Sequence, residues 1–367
     1  MTAMTRRSWL GGSSAVGALR LTGERQILAQ LGNPQQWAAQ AAFDKTAPEM
    51  KVKVEWLRLS VPGYTMGQPL GVSTNSQGHL FVYSRTNPKG VARGGQAAML
   101  WEFDKSYKFV KEWGPNNYAA SFAHSVRVDK SDNVWQVDEG SGMIVKYDPE
   151  GMPVFWLGRT PEAIDYLETN VEHTGAGYQR LKDNPLPLHP TGRIGVFNRP
   201  TDVAWDSKGN IYISDGYGNH RIVKISPEGK WLKAVGSWGE GQDQFHTVHA
   251  ICVDNQDNVY VADRENWRIQ VYDTDLNYKR TIDHISMPWT VFCSPGSPQY
   301  LFTGDGTTGK LYKLDLNGKV LGWAQTGLGR GADNTGDLIH MITVPDANTV
   351  FIGPASLWAV EKVTILS

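Results

Sequence analysis

The sequence predicts an all-β fold, a six-bladed β-propeller whose blades are four-stranded antiparallel sheets. The first observation is a repeat in the middle of the chain, where residues 200–236 and 248–283 each contain four short apolar runs with period-two alternation. The second is that Asp, Gly and Asn residues separate these runs, as turns between antiparallel strands require. A unit of about 40 to 50 residues that contains four strands is typical of a propeller blade.

Six units of this kind follow one another along the chain. Their inner strands are predicted to begin near Gly71, His124, Thr201, His249, Thr290 and His340. The segment 52–57 precedes the first unit, and we expect it to supply the outer strand of the last blade and so close the ring. The prediction is one propeller over residues 52–367. A Pro- and Gly-rich insertion at about residues 160–196 either covers the mouth of the site or is a surface loop.

The first 51 residues precede the propeller. Residues 1–30 contain Arg6 and Arg7 followed by a short apolar stretch, which resembles a twin-arginine export signal. The alternative is an amino-terminal arm that carries two arginines by chance. Residues 31–51 are expected to be a linker. If the signal is used, the protein is periplasmic or secreted.

Composition excludes two classes of partner. The net charge is −1 at pH 7, so nothing in the charge balance indicates a nucleic acid. No apolar run reaches the length of a membrane-spanning segment. We therefore expect no nucleic-acid partner and no membrane span. A monomer is a separate expectation, because the sequence does not show the oligomeric state.

Three histidines occupy the same position in three of the six units. His124, His249 and His340 each open a short alternating strand, in units two, four and six. Alternate blades of a six-bladed ring are related by about 120°, so these imidazoles are predicted to converge on the axis. Three imidazoles with room for a fourth ligand are typical of a catalytic zinc site, and the same set also accepts iron, cobalt or copper. The other histidines show no such regularity, and we interpret them as surface or loop residues: His79, His173, His189, His220, His246 and His284.

The two cysteines do not form a metal motif. Cys252 and Cys293 fall on the predicted inner strands of neighbouring blades, without a CxxC spacing. An oxidising compartment would permit a disulfide between them. The alternative, which we favour, is a pair of buried free thiols.

Two further motifs end strands on the same rim as the histidines. They are residues 214–223, SDGYGNHRIV, and residues 261–270, VADRENWRIQ. Their Asn-x-Arg-Ile portions match the NHL-type repeat, in which the arginine (here Arg221 and Arg268) is mostly structural. Tyr217 and Arg264 are additional to that repeat, and an earlier strand ends at Arg85.

From about residue 52 to its C-terminus the chain resembles the peptidyl-α-hydroxyglycine α-amidating lyases. The resemblance is strongest around residues 200–283, through the strings RPTDVA, SDGY and VADREN-x-RIQ. It implies a six-bladed propeller that holds zinc on its axis through three histidines. It also implies a lyase that breaks the C–N bond of a carbinolamide to give a primary amide and glyoxylate. The implied substrate is a small molecule or peptide with a C-terminal carboxylate.

The resemblance also implies roles for individual residues. The implied zinc ligands are His124, His249 and His340. Tyr217 corresponds to the tyrosine proposed as general base, Arg85 to an arginine near the substrate carboxylate, and Arg264 to an arginine beside the tyrosine.

The family also holds a structural calcium, and here the chain departs from its pattern. Backbone carbonyls that help to bind this ion correspond to Val72 and Val126. The carboxylate ligand of the family follows the third histidine, and this chain has Met341 there. A family methionine is replaced by Leu338. Cysteines of the two family disulfides are replaced by Gly218, Tyr260 and Val271.

Three functions are therefore compared. The first is a zinc-dependent lyase that acts on an α-hydroxyglycine-type carbinolamide. The second is another metal-dependent lyase or hydrolase on the same propeller, with a different small carboxylate as substrate. The missing calcium carboxylate and the insertion favour this second function over the first. The third is a non-catalytic NHL propeller that binds a peptide or protein on its rim, and the charged residues beside the histidines argue against it.

Overall fold

The computed structural model describes residues 34–86, 98–158, 195–328, 339–355 and 357–366. These residues form six four-stranded antiparallel sheets, which confirms the predicted six-bladed β-propeller. Residues 1–30, nearly all of the insertion at 160–196, and Leu338 lie outside the described residues.

The strands are numbered in chain order, after one helix, α1, at Pro34–Asp44. Strand β1 is Val52–Leu57. Blade one contains β2–β5, at Gln68–Thr74, Leu80–Arg85, Met99–Phe103 and Phe109–Trp113. Blade two contains β6–β9, at Ala123–Val128, Val134–Asp138, Met143–Tyr147 and Pro153–Leu157. Blade three contains β10–β13, at Asp202–Trp205, Ile211–Asp215, Arg221–Ile225 and Trp231–Val235.

Blade four contains β14–β17, at Val248–Val253, Val259–Asp263, Arg268–Tyr272 and Tyr278–Ile282. Blade five contains β18–β21, at Pro288–Cys293, Leu301–Asp305, Lys310–Leu314 and Val320–Gln325. Blade six contains β22–β24, at Ile339–Asp346, Thr349–Pro354 and Val360–Ile365.

Strand β1 closes the ring, as the sequence predicts. It pairs antiparallel with β24 from Val52 opposite Ile365 to Leu57 opposite Val360, and so becomes the outer strand of blade six. The closure covers the free edge of the last blade with a strand from the start of the propeller.

The turns between inner and second strands explain why the repeat is visible in the sequence. In blade four, Asp254 Oδ1 accepts hydrogen bonds from the backbone N–H groups of Gln256 and Asn258, each at 2.8 Å. Its Oδ2 accepts from the Tyr260 hydroxyl at 2.9 Å. An aspartate that binds its own turn in this way fixes the hairpin, so the Asp-x-x-x-Asn-x-Tyr pattern returns in blade three with Asp206.

The hydrophobic core lies between neighbouring blades. Ala204 and Tyr212 of blade three pack with Ile251 and Val261 of blade four in one buried cluster. Similar clusters join the other neighbours, because each sheet presents apolar side chains to the sheets on both sides. The inner strands are thereby held around the axis with their amino-terminal ends on one face.

Within the expected linker at 31–51, residues 34–44 form α1, which is docked on blade five. Gln40 and Asp44 share one face of the helix, since they are four residues apart. Both contact the Tyr312 hydroxyl, and the Trp323 indole N–H donates to the Asp44 carbonyl at 2.9 Å. Helix α1 has 11 residues, and among the described residues no helix is both long and apolar enough to cross a bilayer.

The cysteines are free thiols on neighbouring blades. The Sγ atoms of Cys252 on β14 and Cys293 on β18 are 2.9 Å apart. Burial raises the pKa of the Cys252 thiol well above its usual value, which disfavours the reactive thiolate.

Candidate metal centre

The three repeated histidines meet on the axis, where the sequence places them. His124, His249 and His340 could hold a metal ion together, since their ligand atoms all lie within 4.8 Å of one another. The ring centroids are 4.5 to 5.0 Å apart. All three side chains are buried.

A β-bulge turns each histidine out of its strand. The pairing of β6 with β7 shifts register between Ala123 and Ser125, so His124 has no partner across the ladder. The same irregularity occurs at His249 and at His340. A bulged residue is free to point away from the pleat, and here the repeated bulge re-aims the imidazoles towards the axis.

Neighbouring blades orient the imidazoles. The Nδ1–H groups of His124 and His249 donate to the carbonyl oxygens of Thr201 and Trp289, at 2.6 and 2.5 Å. The Nδ1–H of His340 donates to the Leu70 carbonyl at 3.3 Å. A carbonyl can only accept, so these bonds place the proton on Nδ1 and leave Nε2 as the ligand atom.

The histidines are neutral in this environment. Burial lowers the pKa of His124, His249 and His340 well below the usual value, and neighbouring arginines act in the same direction on all three. A neutral imidazole with a free Nε2 is the form that binds a metal. The donor set therefore fits zinc or a similar divalent ion, with an open position for a further ligand.

Tyr217 lies beside this cluster. Its hydroxyl donates to His249 Nε2 at 2.9 Å and lies 3.4 Å from His124 Nε2. The turn that places it depends on Gly216, because a Cβ there would lie 1.7 Å from the Val248 carbonyl oxygen. Burial raises the pKa of Tyr217, against the lowering effect of Arg264.

Arg264 contacts the tyrosine, as the resemblance implies. Its Nη1 donates to the Tyr217 hydroxyl at 3.3 Å, and Glu265 accepts from its Nε at 2.8 Å. Burial lowers the pKa of Arg264, but Glu265 and Tyr217 outweigh that effect, and the net shift is upward. The side chain is a fixed positive charge at the edge of the cluster.

Arg85 lies at the edge formed by His124. Its Nε donates to the Ala123 carbonyl at 3.1 Å, and its Nη2 to Glu139 at 3.1 Å. Its guanidinium stacks on Phe122, 3.4 Å from the ring centroid. These contacts hold the planar fork in one orientation and leave other N–H groups for a ligand.

Two charged residues of this site were not identified from the sequence. Glu139 accepts from both Arg85 and Arg199, and the Arg199 guanidinium lies 4.6 Å from the centre of the Tyr217 ring. Glu139 could have been identified from the repeat, because it follows the last residue of β7 as Arg264 follows the last residue of β15. Trp289, whose carbonyl holds His249, was also missed.

The other histidines do not join the centre. His79 pairs with Glu102 at 2.6 Å, and His284 is exposed. His220 lies in the turn between β11 and β12, in agreement with its interpretation as a loop residue, but it is buried beside the structural arginine Arg221, and burial lowers its pKa to about 4. His173 and His189 lie outside the described residues.

The residues near the expected calcium position do not fit calcium. Val72 and Val126 are buried on β2 and β6. The Met341 sulfur, which replaces the expected carboxylate, lies 3.7 Å from Nη2 of Arg127. Calcium takes oxygen ligands, and a thioether next to a guanidinium offers neither the oxygen nor the negative charge.

Comparison with known families agrees with this architecture. The NHL repeat family matches residues 197–225 and 245–272, which contain the first three strands of blades three and four. The solved structure of a catalytically inactive virginiamycin B lyase from Staphylococcus aureus with quinupristin has a TM-score of 0.56 and 13% identity, over 86% of this chain and 100% of that chain. The similarity supports the fold. The chain is thus an NHL-repeat six-bladed propeller with a candidate metal centre on its axis.

Sequence relatives agree with the resemblance. The peptidylglycine alpha-amidating monooxygenase of Rattus norvegicus is 30% identical over 329 residues, which are 82% of this chain and 30% of the rat protein. The peptidyl-alpha-hydroxyglycine alpha-amidating lyase 1 of Drosophila melanogaster is 27% identical over 180 residues, 45% of this chain and 27% of the fly protein. The chain spans about a third of the length of the monooxygenases that it matches. The resemblance to the amidating lyase family is confirmed.

Proposed function

We propose that the chain is a metal-dependent lyase that cleaves the C–N bond of an α-hydroxyglycine-type carbinolamide. The products are a primary amide and glyoxylate. The observation that carries the proposal is the approach of the Tyr217 hydroxyl to His249 Nε2, at 2.9 Å, within a cluster of three neutral imidazoles. The names of the relatives, amidating lyases and monooxygenases, support an enzyme related to peptide amidation.

The metal is held by His124, His249 and His340 in this proposal, and zinc suits three imidazoles with an open position. When bound, the ion supplies Lewis acidity at the substrate hydroxyl and positive charge beside Tyr217. The chain contributes the orientation, since each imidazole is fixed by a carbonyl of the next blade.

Arg85 binds the carboxylate of the substrate. Its guanidinium is held between Phe122, Glu139 and the Ala123 carbonyl, so little side-chain freedom is lost when a ligand binds. A planar fork that is fixed in this way suits a carboxylate, which accepts two parallel hydrogen bonds. The carbinol carbon is then placed next to the histidines and Tyr217.

Tyr217 acts on the hydroxyl proton of the carbinol. Tyr217 accepts that proton as a phenolate, a form that the charges of Arg264 and of a bound metal ion would favour. As the proton reaches the Tyr217 oxygen, the carbinol C–O single bond becomes the C=O bond of glyoxylate. The C–N bond breaks, its electron pair stays on nitrogen, and Tyr217 gives the proton that it accepted to this nitrogen, which completes the amide and regenerates the phenolate. A positioned base of this kind contributes about 10² to 10⁴-fold to the rate.

The test is glyoxylate release from an N-acyl-α-hydroxyglycine by the purified protein. We expect release that stops after metal removal by a chelator and returns when zinc is added, with about one zinc per chain. A protein that binds zinc but releases no glyoxylate would contradict the reaction and leave the second function, another small carboxylate as substrate. A protein that neither binds metal nor turns over would leave the binding propeller.

A further inference from the structure

Blade five has a tryptophan at the position where blades two, four and six have their histidines. Strand β18 pairs with β19 through the same register shift, between Pro288 and Thr290, so Trp289 is the bulged residue. Its indole ring lies 5.1 Å from the ring of His249 and 6.2 Å from that of His340, centroid to centroid. Trp289 is therefore aimed towards the metal centre as the histidines are, although its side chain is not a metal ligand.

The indole of Trp289 is fixed on both sides. The Arg264 guanidinium lies 4.3 Å from its ring centroid, which is a cation–π contact. On another side is Gly306, where a Cβ would fall 2.3 Å from the ring, so a larger residue would displace the indole. Its Nε1–H is buried and has no hydrogen-bond partner among the described residues, so it is a donor that a ligand can use.

Helix α1 packs against the cluster that contains Trp289. Trp37 of α1 packs with Trp267, Met287 and Trp289 in one cluster, and the rings of Trp37 and Trp267 meet edge to face at 4.4 Å. We call Trp37, Trp267 and Trp289 the aromatic wall. It joins a segment that precedes the propeller to the edge of the metal centre.

The docking of α1 also fixes the chain that leads into Trp289. Gln40 Oε1 accepts from the Ser286 backbone N–H at 2.9 Å, three residues before the tryptophan. Phe43, on the same helix, stacks on His284 at 5.1 Å and is not a member of the cluster that contains the aromatic wall. The helix therefore has two separable contacts, Trp37 with the aromatic wall and Phe43 with His284.

We propose that the aromatic wall binds an apolar acyl group on the nitrogen side of the substrate. This inference rests on the proposed function. Arg85 lies next to His124 through the Ala123 carbonyl, whereas Trp289 lies next to His249. The carboxylate and the acylamino group are bonded to the same carbinol carbon and point in different directions. When that carbon lies at the histidines and its carboxylate lies at Arg85, the acylamino group points to another edge of the site. Trp289 lines such an edge. The preferred substrates are N-acyl-α-hydroxyglycines with aromatic or long aliphatic acyl groups, and Trp37 is a positioning residue that acts through Trp289.

The test compares N-benzoyl-α-hydroxyglycine with N-acetyl-α-hydroxyglycine on the zinc-loaded full chain. In Trp37→Ala we expect kcat/KM for the benzoyl probe to fall about tenfold, mainly through KM, with the acetyl probe changed by less than about twofold. In Trp289→Ala, whose indole also contacts Arg264, we expect a loss on both probes that is larger for the benzoyl probe. Trp37→Phe restores the preference. The matched control is Phe43→Ala, on the same helix, which we expect to leave the preference unchanged. Equal losses on the two probes would overturn the proposal, since they would indicate a structural effect.

A binding measurement separates this inference from the proposed reaction. N-benzoylglycine and N-acetylglycine lack the hydroxyl group and are not cleaved, so calorimetry on the zinc-loaded protein reports recognition alone. Tighter binding of N-benzoylglycine, lost in Trp289→Ala, supports the aromatic wall even if no glyoxylate is released from any probe. No difference between the two ligands in the wild type would refute the wall, whatever the reaction.

Discussion

A buried ion pair holds the inner strands together below the histidines. Arg127 on β6 donates to both carboxylate oxygens of Asp202 on β10, at 2.7 and 2.6 Å. Its Nη1 donates to the Ile342 carbonyl of blade six at 2.7 Å. Both side chains are almost completely inaccessible. We expect this guanidinium to supply the positive charge near the axis that calcium supplies in the family, so that the protein needs no calcium.

The perturbation that tests this is Arg127→Met. Asp202 then loses two charge-assisted hydrogen bonds and keeps neutral donors, including the Ser125 hydroxyl at 3.1 Å and the Ile251 backbone N–H at 3.3 Å. Removal of one partner from a buried pair costs about 3 to 5 kcal/mol, because the other charge stays buried without compensation. In a chain of this length, about 4 kcal/mol lowers Tm by about 6 °C.

The assay is thermal unfolding of metal-stripped protein that is reloaded with zinc alone or with zinc and calcium. We expect the wild-type Tm to be the same in both preparations. The double variant Arg127→Met/Asp202→Asn should recover part of the loss, since it leaves no buried charge unpaired. A wild-type Tm that rises on calcium addition, with calcium bound at about one per chain, would refute the reasoning.

The remaining predictions concern the metal centre, the base and one buried acid. His249→Ala should lose most bound zinc by elemental analysis, whereas His284→Ala, an exposed control, should keep it. Tyr217→Phe should keep zinc and lose about 10² to 10⁴-fold in kcat, and Tyr118→Phe, on the surface, should lose none. Burial raises the pKa of Glu361 from 4.5 to about 7, so folding stability falls as pH rises from about 4.5 to 7. Glu361→Gln should therefore gain up to about 3 kcal/mol at pH 8 and almost nothing at pH 4, measured by denaturant titration.

The blades could be predicted from the sequence because their information is local. An aspartate such as Asp254 accepts hydrogen bonds from its own turn, and the flanking residues alternate with period two. Each hairpin can therefore be recognised from about ten consecutive residues. The three histidines could be predicted for a second reason: a side chain at the same place in alternate repeats must meet its equivalents if the repeats form a ring.

The docking of α1 could not be predicted, because its partners are remote. Gln40 bonds to Tyr312, which is 272 residues away along the chain, and no local pattern indicates that pair. The apolar residues of α1 do not define a buried stripe, since its alanines are exposed and its buried side chains are Gln40 and Asp44. Polar side chains whose hydrogen-bond partners lie on a distant blade cannot be distinguished, in the sequence, from the solvent-exposed side chains of a linker.

Trp289 is a residue of the site that was not predicted from the sequence. The sequence shows its place in the repeat, because Trp289 precedes Thr290 as His249 precedes Ala250. A tryptophan is not a metal ligand, so this position was not predicted to belong to the site. In the structure, the blades that lack the histidine still contribute at this level, through the carbonyls of Thr201, Trp289 and Leu70. Half of the ring supplies imidazoles, and the other half orients them.

The alternation of imidazoles and carbonyls around the ring separates metal binding from substrate binding within one site. The imidazoles and the carbonyls that orient them repeat every second blade, so the metal position is set by the near-symmetry of the ring. The residues at the ends of the second strands break that symmetry: Arg85 is the last residue of β3, and the residues that follow the second strands of blades two to five are Glu139, Gly216, Arg264 and Gly306. A carboxylate and an acyl group differ in charge and shape, so a substrate that carries both can be bound in one direction only where the surrounding side chains differ. Substitutions at those positions should therefore change the substrate that is accepted while the metal remains bound, and zinc content measured beside turnover distinguishes the two effects.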